Sequence, residues 1–296
     1  MKPVSTRSAI WWIGWVPLVV FASVTVAMRN LLQPWQFMWA LAFAIYSGLK
    51  WLTLWNAWPR SDRSSWRSVA YLLAWPGMDA DAFLGGAKRV QPPPLQAWGM
   101  AVFRTACGAL LIWVAARAIP AHAALIRGWI GMIGLILLLH FGSFQCVALF
   151  WQTVRLDAVP IMSAPLRSKS LAEFWGKRWN LGFRQLSYDL IFRPLHRRIG
   201  APFAGFLVFI ASGLIHDLVI SLPARGGYGL PTAYFMLQGL GVVVERSQVG
   251  RQLGIQKGLR GWLFMAVITL GPVYWLFHRP FVERVILPFM HAIRAI

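Results

Sequence analysis

The apolar stretch that decides the fold is Phe-Leu-Val-Phe-Ile-Ala-Ser-Gly-Leu-Ile-His-Asp-Leu-Val-Ile at positions 206–220, and it carries one histidine, His216. Apolar stretches of about 20 residues are typical of helices that cross a bilayer. An ionisable side chain is costly at membrane depth, so His216 is a candidate functional residue by default. Counted from Pro202, His216 lies ~21 Å along the helix axis.

The composition extends this interpretation to the whole chain. Of its 296 residues, 58% are hydrophobic and only 13% are charged, with a mean hydropathy of +0.56. Soluble domains are about one quarter charged, and strands of a membrane barrel alternate apolar with polar residues. We therefore predict an all-α, polytopic membrane protein with a single domain over residues 1–296. The expected spans are seven, with an eighth short span or interfacial helix after 280: 9–28, 35–57, 97–118, 124–151, 201–222, 231–247 and 261–277.

The net charge of +20 is sorted between alternate loops. The segment 152–200 carries nine Lys and Arg residues, and basic residues also gather in 58–96 and 248–260, whereas the intervening loops hold few. Basic loops face the cytosol, so we expect these three segments and the N-terminus on the cytosolic side. An odd number of spans then puts the C-terminus outside. The charge indicates anionic membrane lipids as partners rather than nucleic acid, and Lys2 and Arg7 precede a retained first span rather than a cleaved signal.

A basic amphipathic helix, lying in the interface or re-entering the membrane, is predicted over about 170–192. Ser170 and Glu173 fit a capping box at its start, and Pro194 marks its end. One face is apolar: Leu171, Trp175, Trp179, Phe183, Leu186 and Leu190. The other face is polar: Glu173, Lys177, Asn180, Arg184 and Ser187.

Three neighbours of His216 bear on whether it forms a reactive site. Ser212 shares its helix face and is placed to hydrogen-bond the imidazole, and Gly213 leaves room for a substrate. Asp217 points about 100° away on a regular helix and is a poor direct partner. A neutral imidazole suits a general base. A histidine that only bonds between helices is the other interpretation, and it applies equally to His140 in the fourth span.

Asn180 is the second candidate, because an amide can donate to a carbonyl oxygen or hold an imidazole tautomer. The basic residues of the segment are candidates for binding the phosphates of a nucleotide-bearing donor, although positive-inside charge also explains each of them: Lys177, Arg178, Arg184, Arg193, Arg197 and Arg198. Within the spans, Lys50 and Arg104 either pair with Glu245 or reach an interface. Cys107 and Cys146 indicate neither a disulfide framework nor a zinc site.

These motifs resemble the membrane-bound O-acyltransferase (MBOAT) family, most closely its wax-synthase-like branch. The family signature Ser-Leu-x-Glu-Phe-Trp-Gly-Arg-Arg-Trp-Asn is similar to Ser-Leu-Ala-Glu-Phe-Trp-Gly-Lys-Arg-Trp-Asn at 170–180, and Ser-Gly-x-x-His-Glu/Asp to Ser-Gly-Leu-Ile-His-Asp at 212–217. A later motif of that branch, His-Gly-x-x-x-x-x-Glu, is similar to residues 238–245. Here Gln238 stands in place of the histidine, and Glu245 is the final residue of the motif. The stretch 71–84 resembles bacterial members.

The resemblance implies acyl transfer from acyl-CoA to a hydroxyl inside a membrane tunnel, in a bacterial inner membrane. It implies that His216 is the base and Asn180 its partner, that Trp175, Lys177, Arg178, Trp179 and Arg184 bind acyl-CoA, and that Ser212, Gly213, Asp217 and Glu245 support the site. It implies no metal and no cofactor other than the acyl-CoA co-substrate, with a lipid-soluble alcohol as acceptor. The alternatives are an acetyl-CoA-dependent O-acetyltransferase of a hydrophobic natural product and a non-catalytic transporter or scaffold.

Overall fold

The computed structural model describes residues 11–57, 65–85 and 90–296. These residues form helices with short connections, and no strand occurs among them. In chain order the helices are α1 (Trp12–Asn30), α2 (Pro34–Ala57), α3 (Ser65–Ala74), α4 (Ala80–Leu84), α5 (Leu95–Ala118), α6 (Ala121–Thr153), α7 (Leu171–Glu173 and a π-helical turn, Phe174–Arg178), α8 (Leu181–Ser187, a π-helical turn Tyr188–Phe192 and Arg193–Ile199), α9 (Ala201–Ala224), α10 (Leu230–Arg246), α11 (Gln248–Leu253), α12 (Gly258–Leu276) and α13 (Arg279–Phe281, a π-helical turn Val282–Ile286 and Leu287–Ala292).

Six of the described helices, α1, α2, α5, α6, α9 and α12, are long and apolar enough to cross a membrane. The polytopic helical fold is therefore confirmed, and these six coincide with predicted spans. The predicted span 231–247 is the helix α10, which has 17 residues and a length of ~26 Å. One face of that helix packs against the bundle, with Tyr234, Gln238 and Glu245 buried, and its other face exposes apolar residues such as Leu240 and Val244. Residues 1–10 lie outside the described part of the chain.

The two ends of the bundle are distinguished by long-range contacts. At one end, called the basic end, the Trp262 indole donates to the carbonyl of Leu166 at 2.9 Å. At the other end, called the opposite end, Arg284 donates to the carbonyl of Ala224 and Arg117 to that of Ala295, at 3.1 and 3.3 Å. The helix α13 therefore packs against the opposite end and is not an eighth span.

The predicted continuous helix over 170–192 is wrong, because the chain breaks at residues 179–180. Trp179 is extended, and Asn180 is left-handed with φ 43° and ψ 60°. The break is held by backbone hydrogen bonds to residues 161 and 163, from Leu181 N to Ile161 O at 2.9 Å and from Ser163 N to Arg178 O at 2.8 Å. The signature therefore occupies two short helices, α7 and α8, with Asn180 at their junction.

Pro194 does not end the helix, contrary to the prediction. The helix α8 continues to Ile199 and ends at Gly200, whose φ is 82°. Pro194 occupies the first turn of the α-helical segment that follows the π-helical turn 188–192. A missing N–H is tolerated in a first turn, because the donor there has no partner within the helix. Because of the π-helical turn, the helix continues beyond Pro194.

Candidate functional site

His216 lies in α9 immediately before a π-helical turn, Asp217–Ser221. Its Nδ1 atom lies 2.7 Å from the carbonyl oxygen of Ser212. A carbonyl oxygen only accepts, so Nδ1 carries the proton in the neutral ring and Nε2 carries a lone pair. The expected hydrogen bond to Ser212 therefore forms through the backbone carbonyl. The ring, which is partly buried, faces Phe235 with a centroid distance of 4.4 Å.

Gly213 serves helix packing rather than substrate space. A Cβ at this position would lie 2.7 Å from the Cα of Thr232, far inside ordinary van der Waals contact. The expected room beside the glycine is therefore filled by the first turn of α10. This close approach fixes α9 and α10 to each other one turn before His216.

Asp217 makes its hydrogen bonds away from His216. Its carboxylate accepts from Gly229 N and Ser221 Oγ at 2.8 Å each, from Thr232 N at 3.1 Å, and from the Thr232 hydroxyl. Gly229 and Thr232 lie at the start of α10, where unpaired N–H groups favour a negative charge. Asp217 therefore fastens the segment that follows His216 to the next helix.

A buried histidine that the sequence reasoning missed extends this network. Ser221 Oγ lies 3.2 Å from His278 Nε2, and His278 Nδ1 lies 3.3 Å from Phe281 N, which donates to it. His278 is 3% exposed, and burial lowers the pKa of its imidazole below the ordinary value. The only signal in the sequence was that two histidines, His278 and His291, follow the last predicted span. The network ties α9, α10 and α13 together.

Asn180 caps α8 with its side chain. Its Oδ1 atom accepts from Phe183 N at 3.2 Å, which leaves the side-chain NH₂ group as the available donor. Asparagine suits this junction, because it adopts the left-handed conformation more readily than most residues. Among the described residues, the structure shows no hydrogen bond between Asn180 and His216.

Trp175 of the signature is linked to His216 through Phe235. Its ring packs against Phe235 with a centroid distance of 5.6 Å, and Phe235 in turn contacts His216. Its indole N–H donates to Gln238 Oε1 at 3.3 Å, and Gln238 Nε2 donates to Ile268 O at 2.7 Å. Gln238 is fully buried. It therefore holds the tryptophan in place from the position where the family branch has histidine.

The signature helix is capped from two directions. Glu245, buried at the end of α10, accepts from the backbone N–H groups of Leu171 and Ala172. Ser170 Oγ accepts from Glu173 N at 3.1 Å, which confirms half of the predicted capping box, whereas Glu173 Oε2 accepts from Lys169 N at 2.7 Å. That backbone N–H lowers the pKa of the Glu173 carboxyl, and Arg178 adds to the effect.

The basic side chains of the segment divide into engaged and available groups. Arg178 bonds the Glu173 carboxylate at 2.6 Å and the Ser163 carbonyl at 3.2 Å, so its guanidinium is used within the protein. Lys177 is exposed, and Arg184 is exposed with one bond to Gln185 at 3.3 Å. Three further arginines on α8 are also exposed: Arg193, Arg197 and Arg198.

The expected pairing of Lys50 with Glu245 is wrong. Lys50 is 1% exposed, donates to the carbonyl of Gly77 and lies over the Tyr71 ring. Arg104 likewise forms no ion pair with Glu245, whose carboxylate is occupied by α7. The partners of the buried Lys50 side chain are thus a carbonyl and an aromatic face in place of a carboxylate.

His140 lies in a π-helical turn of α6, Leu137–Ser143, and its Nδ1 is buried without a hydrogen-bond partner in the described part of the chain. Its ring contacts Phe144, and the neighbouring Phe141 contacts Trp179. The interpretation of His140 as a histidine that hydrogen-bonds between helices is therefore not supported by the described residues. Among the described residues no cluster of three metal-ligating side chains occurs, and Cys107 and Cys146 are free.

The sequence of the central region, residues 158–237, matches the family described as membrane bound O-acyl transferase. The resemblance to this family is confirmed. The family segment contains both motifs, the signature at 170–180 and the histidine motif at 212–217, and it ends just before Gln238.

Several plant proteins are similar to this chain. Probable long-chain-alcohol O-fatty-acyltransferase 7 of Arabidopsis thaliana is 28% identical over 137 residues, 41% of this chain and 39% of that protein. Probable long-chain-alcohol O-fatty-acyltransferase 3 of Arabidopsis thaliana is 31% identical over 150 residues, 42% of this chain and 44% of that protein. Long-chain-alcohol O-fatty-acyltransferase of Simmondsia chinensis is 28% identical over 139 residues, 42% of this chain and 39% of that protein.

The chain thus spans about two fifths of the length of these curated relatives. Their names agree with the wax-synthase-like branch of the family. Because these relatives are plant proteins, they give no support to the expected bacterial inner membrane.

Proposed function

We propose that this protein is a membrane-embedded O-acyltransferase that moves an acyl group from acyl-CoA to the hydroxyl of an apolar alcohol, with His216 as general base. The observation that carries the proposal is the 2.7 Å contact between His216 Nδ1 and the Ser212 carbonyl. It fixes the proton on Nδ1 and leaves the lone pair of Nε2 for an incoming hydroxyl. This imidazole lies in the segment shared with the acyltransferase family.

The proposed reaction is a direct transfer. Nε2 accepts the proton of the acceptor hydroxyl while the hydroxyl oxygen attacks the thioester carbonyl carbon. The C–S bond then breaks, and the proton passes from Nε2 to the departing thiolate, which gives an ester and free CoA. The imidazole returns to its neutral form. The transfer draws on the thioester as donor and on no further cofactor.

Asn180 supports the reaction in this proposal through its NH₂ group. The Oδ1 atom is used by Phe183, so the amide can donate to a carbonyl or to the oxyanion of the tetrahedral intermediate. Donors aimed at such an oxyanion stabilise the transition state by about 3–4 kcal/mol in other enzymes. Trp175, between Phe209 and Phe235, supplies an aromatic wall for the acyl chain.

The donor is proposed to bind at the basic end of the bundle. Lys177 and Arg184 are exposed there, and their charges suit the phosphates of CoA. Arg178 is instead used within the protein, where it bonds the Glu173 carboxylate and the Ser163 carbonyl. We place this end in the cytosol, because basic loops favour that side. The acceptor is proposed to enter from the bilayer, because the rings that pack against His216 and Trp175 are those of phenylalanines, Phe209 and Phe235.

The test is an assay of the purified protein in lipid nanodiscs with radiolabelled palmitoyl-CoA and a panel of fatty alcohols. His216→Ala should reduce ester formation by about 10²–10⁴-fold, while His122→Ala, at an exposed histidine outside the site, should leave it unchanged. Transfer to a polycyclic alcohol from acetyl-CoA alone would favour the O-acetyltransferase alternative. Wild-type protein without transfer to any alcohol would favour a scaffold or transporter.

A further inference from the structure

A concave site lies at the opposite end of the bundle, away from the proposed donor site. It is a cavity of about 320 Å³ between the α1–α2 connection and the end of α9. Its polar lining comprises Arg29, Asn30, Arg225 and Tyr228, and its apolar lining includes Phe37 and Leu222. None of the described residues that line it is acidic. Two loops about 200 residues apart in sequence thus bring two guanidinium groups to one cavity.

These two arginines differ from three others at the same end, whose side chains bond backbone carbonyls. Arg127 donates to the carbonyl of Ile119, Arg117 to those of residues 294 and 295, and Arg284 to those of residues 224 and 225. The side chains of Arg29 and Arg225 make no such bond within the described chain. A guanidinium presents five N–H donors in a fixed fork. The two unpaired groups are therefore available to a ligand, whereas their neighbours serve the fold.

The surrounding field favours an anion. Arg284 donates to the carbonyl oxygen of Arg225 at 3.1 Å, which brings a third positive charge to the edge of the cavity. Asp217 accepts from four donors and Glu283 pairs with Arg279 at 2.7 Å, and neither carboxylate forms an ion pair with Arg29 or Arg225 in the described part of the chain. The apolar side of the lining, Phe37 with Leu222, continues into α2 and α9, both of which are candidate membrane spans.

We propose that this cavity binds the phosphate of an anionic amphiphile, with the phosphate between Arg29 and Arg225 and the acyl chain along Phe37 and Leu222. Charge-assisted bonds from arginine to phosphate are among the strong polar contacts in proteins. Tyr228 and Asn30 add neutral donors. The site is independent of the acyl-transfer proposal, because none of its lining residues belongs to the motifs around His216 or Asn180. The same phosphate chemistry is offered by a phospholipid headgroup and by phosphate free in solution.

The proposal is tested by native mass spectrometry of the protein released from nanodiscs of phosphatidylglycerol, of phosphatidylcholine, or of phosphatidylcholine with added inorganic phosphate. Wild-type protein should retain phosphatidylglycerol over phosphatidylcholine, and the double variant Arg29→Gln/Arg225→Gln should lower that retention about tenfold. The matched control is Arg279→Gln/Arg294→Gln, which removes two positive charges from the same end without touching the cavity.

Each outcome decides the proposal. A lipid adduct lost only in the cavity variant supports a headgroup site, and a phosphate adduct lost only in that variant supports the same chemistry with a soluble source. Equal loss in both double variants would overturn the proposal, since general surface charge then accounts for the binding. A wild-type protein that shows neither a preference for phosphatidylglycerol nor a phosphate adduct would also overturn it. Thermal unfolding of both variants in detergent identifies a variant that fails to fold, and the single substitutions Arg29→Gln and Arg225→Gln then replace it.

Discussion

The side-chain oxygen of Asn180 accepts from the amide of Phe183 at 3.2 Å, and Asn180 itself has a φ of 43°. One residue therefore ends α7, begins α8 and presents an NH₂ group. A substitution at this position changes the backbone, the cap or the donor, depending on the replacement.

Asn180→Asp should separate these contributions. Aspartate tolerates the left-handed conformation and keeps the capping oxygen, but it lacks the NH₂ donors. We expect kcat to fall about 10²-fold or more with little change in the KM for acyl-CoA and a thermal midpoint near that of the wild type. Asn180→Ala should in addition be destabilised by about 2 kcal/mol, from the lost cap and the positive φ. Wild-type kcat in Asn180→Asp would show that Asn180 is only a cap.

The charges of the signature region should have different roles. Lys177→Gln and Arg184→Gln should raise the KM for palmitoyl-CoA several-fold and leave the KM for palmitoyl-pantetheine, which lacks the nucleotide phosphates, unchanged. Arg178→Gln should lower stability and affect both donors alike, because Arg178 bonds Glu173 and Ser163. Arg279→Gln is the control for loss of one exposed positive charge. The same effect on both donors in Lys177→Gln and Arg184→Gln would contradict phosphate binding by these residues.

His278 should make stability depend on pH in mildly acidic solution. Burial lowers the pKa of its imidazole in the folded protein, so the unfolded chain binds a proton first as pH falls. Stability should therefore decrease as pH drops below about 6.5, the ordinary histidine value, towards the lowered folded value. Thermal midpoints of wild type and His278→Gln between pH 8 and pH 5 measure this, and the variant should show a smaller slope. An unchanged slope in the variant would assign the pH dependence to other groups.

The orientation of the bundle in the membrane can be tested by labelling single cysteines. In a variant with Cys107 and Cys146 replaced by alanine, single cysteines at Arg198 and His122 occupy exposed positions at the basic end and the opposite end, respectively. A membrane-impermeant maleimide added to intact cells should label the cysteine at position 122 only, because the basic end is expected in the cytosol. Labelling of both positions from outside would show that the helices between them do not cross the membrane an odd number of times.

Most of the fold, and the position of His216 within a long apolar helix, could be predicted from the sequence. Apolar stretches of sufficient length located all six long helices, and the serine at position 170 located the start of the signature helix. The break at Asn180 was missed because helical periodicity continues across it, and the polar periodicity of Lys177, Asn180 and Arg184 concealed a left-handed residue. Asparagine directly after tryptophan, in front of a second helix, was the one available signal.

Long-range polar contacts were the least predictable part. Lys50 and Glu245 looked like partners because each is a charged residue in an apolar helix. In the structure each is satisfied by backbone groups, the carbonyl of Gly77 and the amides of α7. Backbone donors and acceptors are present in every sequence, so composition cannot reveal which of them a buried charge will use. The same holds for Ser221 and His278, which are 57 positions apart and meet only after α9, α12 and α13 have packed.

The partners of Trp175 and Leu171 also determine how small an autonomous version of this protein can be. The family segment ends at residue 237, whereas the tryptophan depends on Gln238, and the first amide of α7 depends on Glu245. A fragment excised at the family boundaries would leave an indole N–H and a helix start without acceptors in an apolar setting, where each unmet donor costs several kcal/mol. Excision therefore has to include the remainder of α10 and its support from α12 if the two motifs are to keep their arrangement.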